Sequence, residues 1–107
     1  MTKFLLLYRG PATPMEEFTP EQGAEQLAAW NGWKDRVGAA LVDFGAPFGA
    51  RSALADDGSS PEPSDQNGYS IVEASSIDGA RGLLDGHPFL AEGKGQFSVE
   101  VFELVPM

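Results

Sequence analysis

The sequence predicts an α+β fold of order β-α-β-β-α-β: a four-stranded antiparallel sheet with two helices on one face. Three observations predict it. Four short segments carry the apolar, β-branched and aromatic residues of strands. Two other segments open on helix caps and repeat apolar residues at helical spacing. The order divides into two β-α-β halves, and right-handed crossovers place both helices on the same side of the sheet. With 107 residues, 42% of them hydrophobic, the chain suits one domain spanning 1–107.

The first strand is Lys3 to Arg9, KFLLLYR, an apolar run suited to burial on both faces. Gly10, Pro11 and Pro14 break it, so residues 10–18 read as a loop. Thr19-Pro20-Glu21-Gln22 then opens a helix: Thr19 caps, Pro20 suits the first helical position and Gln22 completes a capping box. The helix runs from 20 to 37 or 40. Leu27, Trp30, Trp33, Val37 and Leu41 fall within about 120° of one another on a helical wheel. Gln26 and Lys34 intrude on that arc, Gln26 as a pocket edge and Lys34 by snorkelling outward.

Ala40 to Phe48, ALVDFGAPF, starts as a strand that Gly45 and Pro47 interrupt, as at an edge or a bulge. Residues 55–67, ADDGSSPEPSDQN, form the longest loop. Gly68 to Ala74, GYSIVEA, is the third strand. Ser75 or Ser76 caps a short helix whose buried side is Ala80, Leu83 and Leu84, and which Gly86 and Pro88 end. Gln96 to Leu104 is the last strand, with Phe97, Val99 and Val101 on one face and Phe102 and Leu104 on the other. Both helices on one face leave the other bare, and its apolar residues imply a second copy of the chain as partner; the alternative is a monomer whose 55–67 loop covers that face.

Sixteen acidic against seven basic residues give a net charge of −9, which argues against nucleic acid and against an anionic membrane surface. The run Phe4 to Leu7 is too short for a signal-peptide core or a membrane span. The chain has no cysteine, which fits a reducing cytoplasm and excludes thiolate chemistry. One histidine rules out a multi-histidine metal site within one chain. No GxGxxG, P-loop, GxSxG, HExxH or CxxC pattern is present, so no cofactor or metal is expected.

The segments KFLLLYRG, ALVDFGAPFG, NGYSIVEA and GHPFLAEGKGQFSVEVFELVPM together resemble the YCII-related family and its DGPF-type relatives. The resemblance spans nearly the whole chain. It implies a ferredoxin-like domain that pairs into a dimeric α+β barrel, an architecture shared with small monooxygenases and muconolactone isomerases. An enzymatic role is suggested for some members in which a His on the first helix meets an Asp that precedes Pro after the second helix. Here the residue before Pro88 is His87. The first helix carries no histidine; Trp30 and Asn31 stand nearest that place. A swapped pair of His87 with Asp43 takes its stead.

His87 has the one side chain whose ordinary pKa lies near neutrality, which suits acid–base catalysis; the alternative is a helix stop or a packing role. Asp43, between Val42 and Phe44, either orients that histidine or turns outward. Tyr8 and Arg9 end the first strand as ligand-binding candidates, Arg9 gripping an anion or pairing with an acidic neighbour. Trp30 and Trp33 are core residues or the wall of an apolar pocket. Two functions follow: a small cofactor-independent enzyme acting on an apolar or aromatic molecule, or a non-catalytic dimeric ligand-binding or accessory module.

Overall fold

The computed structural model of the chain describes residues 1–11 and 18–107. Residues 12–17 of the loop expected over 10–18 lie outside them. The elements are β1 (Thr2–Arg9), α1 (Pro20–Val37), β2 (Leu41–Pro47), β3 (Gln66–Ala74), α2 (Ile77–Gly82) and β4 (Ser98–Leu104). Single 3-10 turns at Gly38–Ala40 and Pro88–Leu90 follow the two helices. The sheet is antiparallel in the order β2-β3-β1-β4, so the two strands next to each other at the centre are first and third in sequence. This is the ferredoxin-like arrangement.

Alternation sorts the sheet into two faces. Phe4, Leu6 and Tyr8 of β1 and Ser70, Val72 and Ala74 of β3 are buried on the helix side. Trp33 of α1 and Ala80 of α2 close over them. Val99 and Val101 pair with Tyr8 and Leu6 on the same side. The opposite face carries Leu5, Leu7, Ile71, Phe102 and Leu104, of which Phe102 remains 46% exposed. Neither helix covers it.

Helix α1 begins as its sequence dictates. The Thr19 hydroxyl accepts from Gln22 N at 3.1 Å, and the Gln22 side chain accepts from Thr19 N at 3.0 Å. Its apolar arc is narrower than the wheel suggested. Trp33 is buried and Trp30 and Val37 are half-buried, but Leu27 is 62% exposed and Leu41 already belongs to β2. The reason is packing distance: only the C-terminal half of α1 meets the core residues. Lys34 lays its ammonium over the Phe44 ring, 5.4 Å from the centroid, which accommodates a cation on that arc.

β2 is an edge strand with a bulge, as Gly45 and Pro47 imply. Leu41 faces Val72, Asp43 faces Ile71 and Ala46 faces Tyr69, so one extra residue is inserted at each of two steps. Gly45 takes φ 78°, and a Cβ there would run into the Tyr69 carbonyl. Residues 48–65 then form the long connection to β3. No helix among the described residues is long and apolar enough to cross a membrane.

Candidate functional site

His87 ends the segment that follows α2. Gly86, at φ 70°, turns the chain, and Pro88 opens the next 3-10 turn. The turn carries the imidazole inward, where it is 1% exposed. Three bonds clamp this segment from other elements: Trp33 Nε1 donates to Leu83 O at 2.9 Å, Arg36 to Asp85 O at 2.8 Å, and His87 meets Tyr8.

The proton positions around His87 follow from its partners. The Phe89 amide is a donor and lies 3.0 Å from Nδ1, so Nδ1 carries no proton. The neutral imidazole therefore holds its proton on Nε2 and donates to Tyr8 Oη at 3.1 Å. Tyr8 donates to Ser70 Oγ at 2.7 Å, and Ser70 donates to the Phe44 carbonyl at 2.7 Å. Every donor in this buried chain has an acceptor. It ends on a carbonyl, which accepts a hydrogen bond but does not take the proton onward.

Aromatic rings wall the chain. Trp33 lies 4.3 Å and Trp30 4.8 Å from the imidazole centroid, and Tyr8 touches Trp30 and Phe89. Burial, and after it the positive charge of Arg36, push the His87 pKa down to about 4. Burial pushes Tyr8 up to about 12, against the opposing effect of its bond to Ser70. Both groups are neutral at pH 7.

A trough of about 590 Å³ runs along the outside of this assembly. One bank is a single face of α1: Gln22, Glu25, Gln26, Ala29, Gly32 and Arg36, spaced three or four apart. The other bank is Gly86, Pro88 and Ala91, and Trp33 lies between. Gln26 thus stands at a pocket edge, as its place on the wheel suggested. A second trough, about 740 Å³, lies between α2 and β4, over Val99 and Val101.

The structure gathers Tyr8, Trp30, Trp33 and His87 into one cluster on the helix side. It does not bring Asp43 or Arg9 there. Asp43 points to the other face, where it accepts from the Tyr69 hydroxyl at 3.1 Å and from Gly45 N at 2.8 Å. The sheet separates it from His87, so the two form no pair within one chain. A register shift is the cause: Leu41 pairs with core-side Val72, but the irregularity between Leu41 and Asp43 pairs Asp43 with Ile71, which faces away from the helices. Arg9 alternates with Tyr8 and forms an exposed ion pair with Asp65 at 3.0 Å. Ser70 and Arg36 went unnoticed in the sequence. Ser70 had a signal, as the polar residue on the core side of an apolar strand. Among the described residues no group of three His, Asp or Glu is placed to hold a metal.

No protein-family model matches the chain, and no curated protein matches it. A solved structure does: 5-chloro-2-hydroxyhydroquinone dehydrochlorinase (TftG) from Burkholderia phenoliruptrix AC1100, in complex with 2,5-dihydroxybenzoquinone. The two are 19% identical, the match covers 98% of this chain and 95% of that one, and the TM-score is 0.58. At that identity the likeness establishes one thing, that this chain has the same fold as the dehydrochlorinase over nearly its whole length.

Proposed function

We propose that the chain is a YCII-related protein that works as a homodimer and binds a small organic molecule in the trough beside α1. The observation that carries this reading is a closed hydrogen-bond chain set directly behind an open trough. His87 has both nitrogens engaged, and with its pKa near 4 it is a weak base at neutral pH. Its work is to fix the 83–91 segment, and so to hold one bank of the trough in place. The quoted sequence segments support the family assignment. The fold shared with a protein solved around a dihydroxybenzoquinone supports a ring-sized ligand.

Surface area supports the pairing. The chain exposes 7565 Å², whereas a compact monomer of 11.4 kDa exposes about 5,800 Å². The excess of about 1,800 Å² is more than the roughly 800 Å² that each partner contributes to a standard interface. A second sheet stacked on the bare face covers Phe102 and Leu104.

The likeness to a dehydrochlorinase favours a second reading, a small cofactor-independent enzyme with His87 as its acid–base group. Proton exchange then requires Nδ1 to release the Phe89 amide, since Nε2 is committed to a chain that ends on a carbonyl. Asp43 and Arg9 would serve the dimer face instead. Titrating the protein with a chlorinated hydroxyhydroquinone separates the readings. The binding reading expects saturable quenching of tryptophan fluorescence without chloride release. Chloride release that disappears in His87→Gln, with quenching retained, establishes the enzyme instead. Absence of any quenching overturns both.

A further inference from the structure

Resting on the trough as ligand site, we infer that its ligand is a planar organic anion, with the negative group on Arg36 and the ring over Gly32 beside Trp33. The trough has Arg36 at one end, Gln22, Glu25 and Gln26 beside the apolar Phe18 at the other, and small residues in its middle. Ala29 and Gly32 leave the α1 bank without bulk, and an added Cβ at Gly32 meets nothing within 4 Å. Gly86, Pro88 and Ala91 keep the facing bank equally low. A flat slot of this kind admits a ring better than a branched chain.

The charge asymmetry fixes the orientation. Arg36 stands at one end and Glu25 at the other, eleven residues apart, which is about 16 Å along a helix. Among the described residues no carboxylate pairs with Arg36, although the chain has sixteen acidic residues and seven basic ones. Its guanidinium instead donates to the Asp85 carbonyl and lies against the Gly86 backbone. The bond holds the fork in place without neutralising it, and the remaining N–H groups suit a carboxylate or a phenolate. At the far end Glu25, Gln22 and Gln26 accept from hydroxyl groups and repel a second negative charge. The class is therefore a hydroxylated aromatic monoanion, its acidic group toward the C-terminal end of α1.

The test compares 4-hydroxybenzoate with its neutral isostere 4-hydroxybenzamide, by tryptophan fluorescence and by the NMR signals of the one histidine. We expect the anion to bind saturably, at least tenfold tighter than the amide, and to weaken as salt is raised. Arg36→Gln should raise its Kd at least tenfold and leave the amide unchanged, while Arg36→Lys recovers part of the loss. The anion should also move the His87 signals, because it neutralises a charge that bears on the ring. Gly32→Leu, which fills the slot where there is room, should abolish binding of both probes at an unchanged melting temperature. Equal binding of the two probes, or indifference to Arg36→Gln in a variant that melts like the parent, overturns the anion assignment and leaves the trough standing. Binding untouched by Gly32→Leu overturns the trough itself.

Discussion

His87 shows how a single residue can stand out in a sequence while the surroundings that set its chemistry stay hidden. Its rarity and its place before Pro88 are visible in the sequence; its partners are not, because Tyr8 lies 79 positions away and Ser70 on a third strand. The geometry gives it a thermodynamic signature. A histidine in the unfolded chain titrates near 6.5, whereas folded His87 titrates near 4. Between those values the unfolded chain binds the proton and the folded chain does not, so stability rises with pH across the window. As pH falls from 6.5 to 4, the loss should be on the order of 3 kcal/mol, complete below the lower value. Urea unfolding at a series of pH values checks this. The slope should flatten in His87→Gln, whose midpoint at pH 7 should itself be lower because the Phe89 amide or Tyr8 loses its partner.

At the scale of elements, local chemistry was the most legible part. The capping box at Thr19, the stop at Gly86 and the interruption of β2 at Gly45 and Pro47 each stand where the sequence puts them. Each depends on residues no more than a few positions apart. Thr19→Ala should therefore cost about 0.5–2 kcal/mol, read as a lower melting temperature with helix content otherwise retained. What was not legible is how far along α1 the core reaches. Leu27 lies on the apolar arc, yet it stays exposed among the described residues, because burial depends on what stands opposite and periodicity reports one surface only. The same limit hid Asp43. Its place on a strand was clear, but its face depends on the register shift that precedes it, between Leu41 and Asp43. Arg36 carried no signal in the sequence, because the bank that makes it a trough residue comes from the 86–91 segment.

At the scale of the molecule, the chain is a thin slab, 44 × 39 × 24 Å, with one layer of helix on one layer of sheet. Among the described residues its fully buried apolar set is short: Phe4, Leu6, Tyr8, Trp33, Val72, Ala74 and Ala80. Such a core is modest for a lone domain, and the proposed pairing through the bare face would add a further layer. Phe102→Glu with Leu104→Lys should shift the mass seen in sedimentation from two chains to one and lower the melting temperature. Two chains of charge −9 repel, so dimerisation of the parent protein should strengthen as salt is raised. A single-chain mass for the parent at micromolar concentration would remove the homodimer. The bulged margin of β2 bears on a different hazard. A straight strand at the rim of a sheet invites copies to join edge to edge and grow without limit. Pro47 lacks the amide that such growth needs, and the kink at Gly45 bends the rim out of line. With that margin blunted, growth through β2 is disfavoured, and a partner that stacks on the flat of the sheet would close the assembly at two.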